Sequence, residues 1–190
     1  MTSDANPLAG TLADDDDDAV VDAALRSLPM LARRRIEAEI IRPIYEGLVE
    51  KLGQREADHF LAGVIRKSAI AQGEAMARED GDVGGLDGFA ALLPRWTAGG
   101  ALQIEETRRD ATHLDFNVTR CRYAEMYREM GLGHIGHILS CNRDGTFCEG
   151  YDPSIQFARS QTIMQGASHC DFRYSVSSTS AQDEDPDAPG

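Results

Sequence analysis

The feature that most constrains this chain is a change of hydrophobic period at Gly100. Upstream, apolar residues recur at three- and four-residue spacing: Val20, Val21, Ala24, Leu25 and Leu28, then Ile36, Ile40, Ile41, Ile44, Leu48 and Leu52, then Phe60, Leu61, Val64 and Ile65. That is the period of helices with an inward face. Downstream, residues 101–107 and 112–119 show partial alternation, the period of strands with one buried face. Helices first and then an antiparallel sheet, with helices packed on one side of it, is the α+β class.

Punctuation divides the pattern. Pro29 separates a short helix from a longer one, and Pro43, which lacks an amide donor, is expected to kink or restart the longer one before Gly53 stops it. Residues 54–79 predict a third helix, with Ala69, Ala71, Ala75 and Met76 inside. Gly81, Gly84, Gly85 and Gly88 predict a loop, followed by a short helix from Leu86 to Trp96 that ends near Gly99 and Gly100. Residues 108–111 then predict the turn of a hairpin, with Leu114, Phe116 and Val118 on one face and His113, Asp115 and Asn117 on the other. Helices are expected from Arg120 to Met130 and from Ile135 to Cys141, and strands at about 155–165 and 170–177. There is no internal repeat.

Charge locates the ends of the domain. The chain of 190 residues carries a net −13. Residues 1–22 hold seven acids and no base, and residues 176–190 hold four acids and no base. Segments 1–18 and 178–190 therefore read as self-repelling acidic tails around a nearly neutral body: a helical segment over 19–100 and an α+β segment over 101–177 of the same domain. Such a body lacks the basic footprint of a nucleic-acid binder, and the aspartate run would oppose one. No apolar run approaches the roughly 18–20 residues of a membrane span, and the first residues lack the basic flank and apolar run of a secretory signal. A soluble, cytoplasmic protein without membrane or nucleic-acid partners is expected. The exposed face of its first helices could serve a homo-oligomer.

All four cysteines, Cys121, Cys141, Cys148 and Cys170, fall in the second half. Without a signal sequence, disulfides are not expected, and each cysteine can be a small buried hydrophobe. Cys121 departs from that reading. Thr119 can cap a helix starting at Arg120, so Cys121 would sit in its first turn between Arg120 and Arg122, where the helix dipole and the guanidinium charges lower a thiol pKa. In His169-Cys170-Asp171-Phe172-Arg173 the strand period puts Cys170 and Phe172 on one face and His169, Asp171 and Arg173 on the other. On a helix, His134, His137 and Cys141 share a face, with Asp144 three residues on. The spacing matches no closed metal motif, and no metal or cofactor is expected.

These motifs in order, Asn117-Val118-Thr119-Arg120-Cys121, Leu139-Ser140-Cys141-Asn142-Arg143-Asp144, Arg159-Ser160-Gln161-Thr162-Ile163-Met164-Gln165-Gly166 and His169-Cys170-Asp171-Phe172-Arg173, resemble the L-2-amino-thiazoline-4-carboxylic acid hydrolase family over roughly 101–175. The helical first half carries no matching motif. The resemblance implies an enzyme that adds water across a cyclic amidine and opens a small nitrogen heterocycle, yielding a carbamoyl-cysteine from the namesake substrate. By position it carries over Cys121, Cys141, Asp144, Cys170 and Asp171.

Such chemistry needs a nucleophile, a proton carrier and donors for developing charge. Cys121 is the first candidate nucleophile and Cys170 the second. Asp144 or Asp171 could orient a base or protonate the ring nitrogen, His137 and His169 could carry protons, and Arg173 could hold a substrate carboxylate. A metal-bound hydroxide with Cys and Asp ligands is the alternative mechanism. A non-catalytic small-molecule or metal sensor is the alternative function.

Overall fold

The computed structural model describes residues 15–81 and 83–177. The chain runs through α1 (Asp15–Ser27), α2 (Met30–Leu52), α3 (Gln54–Glu79), α4 (Gly85–Leu92) and α5 (Pro94–Thr97), then β1 (Leu102–Arg109), β2 (His113–Cys121), α6 (Arg122–Glu129), α7 (Arg143–Tyr151), β3 (Gln156–Ala158) and β4 (Cys170–Ser175). The fold is α+β as read from the period change, and the hairpin lies where the alternation puts it. Of the acidic segments, residues 1–14 and 178–190 lie outside the described residues, and residues 15–18 open α1. Among the described residues no helix is long and apolar enough to cross a membrane.

The four strands form one antiparallel sheet in the order β1-β2-β4-β3. Leu114 pairs with Tyr174, Phe116 with Phe172 and Val118 with Cys170, and all six are buried. Their alternation gives the sheet one apolar face, which the helices cover. The rings of Phe116 and Phe172 lie parallel on that face, with centroids 5.0 Å apart.

Several predicted boundaries move for local reasons. Pro43 does not interrupt α2. Its ring is on the exposed side, where water can satisfy the carbonyl that loses its partner. The predicted helix from Leu86 to Trp96 is split into α4 and α5 by Pro94, which fits the first turn of α5 better than the interior of a longer helix. The strand expected over 155–165 stops at Ala158, because the Asp171 carboxylate accepts the N–H groups of Ser160 and Gln161, at 3.0 Å and 2.9 Å, that a further strand would offer to a ladder. Thr162 then caps a single 3-10 turn over Ile163–Gln165.

Helix α2 carries two apolar stripes. Met30, Ala38 and Tyr45 are buried with Ile41 and Leu48 packed beside them, whereas Ile36, Ile40 and Ile44 are exposed, as are Phe60 and Val64 on α3. Helices α3 and α7 meet at two glycines, where backbone touches backbone. A Cβ on Gly73 would lie 2.3 Å from Phe147 O, and one on Gly150 only 2.0 Å from Ile70 O.

Candidate active site

The helix after β2 starts at Arg122, so Cys121 is its cap residue, in extended conformation at the end of the strand. From there its thiol faces a cavity between the sheet and helices α2, α5 and α7. Cys141 and Cys170 reach the same cavity, as do Asp144, Arg159, Arg34 and Arg143. Three of the four cysteines thus arrive from separate elements: the end of β2, a π turn over His137–Cys141, and the start of β4. Cys148 instead lies buried in α7, its thiol 3.5 Å from Asp144 O, as a small core residue.

The π turn also explains which expected grouping fails. Asn142 N donates to His137 O across five residues at 2.9 Å, so the register no longer stacks Cys141 under His137 as an α-helix would. Cys141 lines the cavity; neither His137 nor His134 does, and His134 lies beside Tyr45 with ring centroids 6.1 Å apart. Among the described residues no three His, Cys, Asp or Glu side chains are arranged to hold a metal ion.

The thiols are not activated at rest. Burial pushes Cys121 up to about 11, although the N–H groups of Ala124 and Tyr123 pull the other way. The expected lowering of its pKa is therefore reversed: the helix end does donate to the sulfur, but desolvation of a thiolate outweighs it. Burial also raises Cys141 and Cys170. Cys170 has two counterweights, the N–H of Ile163, 3.2 Å from its sulfur, and the Arg159 guanidinium.

Asp144 is the carboxyl group of the cavity. Its side chain is 29% exposed, and the open part faces the cavity. Burial holds its pKa above the usual carboxylate range, against the pull of Arg159, Arg34 and Arg143. Arg159 pairs with it directly, donates to Cys141 O at 2.9 Å, and lies over the rings of Phe172 and Phe157 at 5.1 Å and 5.3 Å. The guanidinium therefore fixes Asp144 and a cysteine backbone at once.

Asp171 and Arg173 fall on the other face of β4 and His169 precedes the strand; none of the three lines this cavity. Asp171 nevertheless acts on it at one remove. Its carboxylate accepts from the Ser160 hydroxyl at 2.6 Å and from the N–H groups of Ser160 and Gln161, which anchors the loop that carries Arg159. Desolvation acts to raise its pKa, but the Ser160 hydroxyl and the backbone donors outweigh it and bring it to about 2. A carboxyl depressed in the fold stabilises it above the ordinary range near 4 and loses that contribution as pH falls toward 2. The urea midpoint should accordingly fall between pH 5 and pH 2.5 more steeply in the wild type than in Asp171→Asn. Equal slopes would show that the anchor does not matter. Arg173 donates to Phe116 O at 3.0 Å and to Asn117 Oδ1 at 3.0 Å, as part of the polar ladder on the open face of the sheet. His169 sits beside Gln161 and Ser168.

The residues that sequence reading did not single out are arginines. Arg34 is 5% exposed and Arg143 7% exposed, and both line the cavity. Arg34 donates twice to Glu37 at 2.8 Å and once to Gln72 at 2.9 Å. Arg143 lies 3.6 Å from the same Glu37 and donates to Leu139 O at 2.9 Å. Burial, with Arg34 as a second cause, pushes Arg143 down to about 10, so its guanidinium stays charged at neutral pH. Two buried cations share one carboxylate, which leaves the cavity one positive charge in excess when Arg159 and Asp144 are paired. The signal for Arg34 was available: it occupies the core position of α2 between Met30 and Ala38 at four-residue spacing.

The family model for L-2-amino-thiazoline-4-carboxylic acid hydrolase matches residues 33–174. The chain belongs to this family. The match reaches into the helical half, where the resemblance read from motifs stopped, and includes Arg34 and Glu37 as well as the cysteines of this hydrolase family member. No curated protein matches the chain. Among solved structures, it is similar to the phenol-responsive sensory domain of the transcription activator PoxR with phenol, at 15% identity and TM-score 0.46, over 72% of this chain and 73% of that one. It is also similar to trafficking protein particle complex subunit 3 from Naegleria fowleri covalently bound to palmitic acid, at 10% identity and TM-score 0.45, over 75% of this chain and 96% of that one.

Proposed function

We propose that the chain is a hydrolase that opens a small cyclic amidine bearing a carboxylate, with Cys170 as nucleophile and Asp144 as proton carrier. The observation that carries this reading is the convergence of three cysteines, Asp144 and Arg159 from separate elements on one cavity of a hydrolase-family chain. The substrate carboxylate would lie against Arg34 and Arg143, whose charge Glu37 only half compensates.

A carboxyl group that burial holds above the ordinary carboxylate range is suited to take a proton and to return it. In the first step the Cys170 sulfur bonds to the amidine carbon while its proton passes to Asp144. The tetrahedral adduct collapses as Asp144 hands that proton to the departing ring heteroatom, and the ring C–N or C–S bond breaks. Water then attacks the thiol-linked carbon and loses a proton to Asp144, the bond between that carbon and the Cys170 sulfur breaks, and Asp144 returns the proton to the sulfur, so that one water is added overall. The donors beside the sulfur, Ile163 N–H and Arg159, stabilise the thiolate only as it forms.

Turnover of a panel of cyclic amidines and imides, including L-2-amino-thiazoline-4-carboxylate, tests the reading. Cys170→Ser is expected to lose at least ~10² in kcat with its fold intact, and Cys121→Ser to lose far less, in keeping with the cost of removing a covalent nucleophile. The reverse order would make Cys121 the nucleophile. Silence of the wild type across the panel would favour a small-molecule sensor instead. Arg34→Met should raise KM for a carboxylate substrate by roughly 10- to 100-fold and leave kcat within a few-fold, because charge pairing with a non-reacting carboxylate is the same in the ground and transition states.

A further inference from the structure

The helical half carries an apolar outer surface that the proposed chemistry does not use. Ile36, Ile40 and Ile44 on α2 and Phe60 and Val64 on α3 are between 49% and 61% exposed. They recur every four residues, so each helix presents one ridge. The helices run antiparallel, with Tyr45 donating to Asp58 at 2.6 Å and Arg34 to Gln72 at 2.9 Å, which sets Ile44 level with Phe60 and Ile40 level with Val64. The ridges also turn toward each other. Leu31 and Arg35 mark the flank of α2 that faces α6, Gly73 marks the flank of α3 that faces α7, and the ridges lie on the opposite flanks. They therefore border one outer groove between α2 and α3.

Two glycines flank these ridges for no reason internal to the chain. Gly47 follows Ile40 and Ile44 at the seven- and three-residue spacing of one helix face, and Gly63 follows Phe60 by three residues. Both lie inside helices, where glycine is weaker than alanine. A Cβ on either would meet nothing within 4 Å. Gly73 and Gly150, by contrast, are demanded by the backbone contact of α3 with α7. Glycine beside bulky ridges lets a further helix come close and seat its own ridges in the gaps.

At about half exposure each, the five side chains present on the order of 500 Å², in the upper part of the range for the largest apolar patch on a monomer. A stable dimer takes about 800 Å² from each copy, and about two-thirds of a homodimer interface is apolar, so the patch has the area that such an interface needs. Helix α1 does not cover it, since its own Val20, Val21 and Leu25 are exposed. We infer that this surface is the interface of a two-fold homodimer, in which the α2–α3 pair of one copy lies on that of the other and the four helices form a bundle. A second copy is the fitting occupant because ridges and glycine gaps share one face. Turned about a two-fold axis, that face complements itself.

Sedimentation velocity of the full-length protein over a range of concentrations tests the interface without reference to turnover. The wild type should be a reversible dimer. Gly47→Arg and Gly63→Arg place a charged side chain where the single chain has open space, so each should keep the wild-type circular dichroism spectrum. Each should raise the dissociation constant at least ~30-fold, the effect of an unpaired charge at the centre of an interface. Ile40→Asp should do the same from the ridge, and any one folded variant suffices. A wild type that stays monomeric at high micromolar concentration, or a dimer undiminished in the folded arginine variants, overturns the inference. A monomeric wild type that floats with phosphatidylcholine vesicles, beside an Ile40→Asp variant that does not, would also overturn it and assign the face to lipid.

Discussion

Asp144→Asn is expected to lower kcat/KM for ring opening by on the order of 10³ to 10⁴, at the top of the range for removal of a general acid–base group. Two effects coincide at this residue. An amide cannot accept the thiol proton or return it to the departing heteroatom, and it leaves Arg159, which is 11% exposed, without its counter-charge. Glu is the informative second replacement, because Asp144→Glu keeps the charge and displaces it by one methylene. It should recover part of the loss if the carboxylate is the proton carrier, and none if Asp144 only props Arg159 in one position. The pH profile separates the roles further. Because burial raises the Asp144 pKa, the acidic limb of the wild-type profile should fall above the ordinary carboxylate range near 4 and should vanish in Asp144→Asn. An acidic limb that persists unchanged in the amide variant would remove Asp144 from the chemistry.

How much of this site could be read from the sequence depends on the kind of signal each residue carried. The sheet was legible because alternation is a property of consecutive residues: Leu114, Phe116 and Val118 lie inward where the period puts them, and so do Cys170 and Phe172. The short ordered motifs were legible as well, and Cys121, Cys141, Asp144 and Cys170 all reach one cavity. The electrostatic state of the thiols was not. Position at a helix start argues for a lowered pKa, but the sign is set by burial, and burial depends on Trp96 and Arg34 folding over the cavity from distant segments. Asp171 shows the same limit. Its neighbour Cys170 faces the cavity, and strand alternation sends Asp171 the other way, to the loop that holds Arg159. The π turn at His137 is a deviation of one residue that no periodicity argument can place. Arg34 was the missed opportunity, since a charged residue in the core register of an amphipathic helix needs a partner or a function.

Gly150→Ala should be the most damaging single methyl group in the molecule. The new Cβ would lie 2.0 Å from Ile70 O and 2.8 Å from Ile70 C, and these are backbone atoms of α3 that cannot rotate away. Helix α7 would have to move from α3 by more than an ångström. Overpacking of this kind costs roughly 1–3 kcal/mol where side chains can yield and more where they cannot, so a loss of at least ~3 kcal/mol is expected in urea or thermal unfolding. Gly73→Ala, 2.3 Å from Phe147 O across the same contact, should behave alike. The consequence extends to the cavity because the two helices also carry its polar groups. Arg143 and Asp144 open α7, and Ser68 and Gln72, which accept from Arg143 and Arg34, lie on α3. Separation of the helices would therefore loosen the arginines that face the substrate carboxylate. Any Gly150→Ala protein that remains folded should show a raised KM before its kcat falls, a split that distinguishes displaced binding groups from a lost proton carrier. Wild-type stability with wild-type kinetics in Gly150→Ala would mean that α3 and α7 do not meet backbone to backbone at this point.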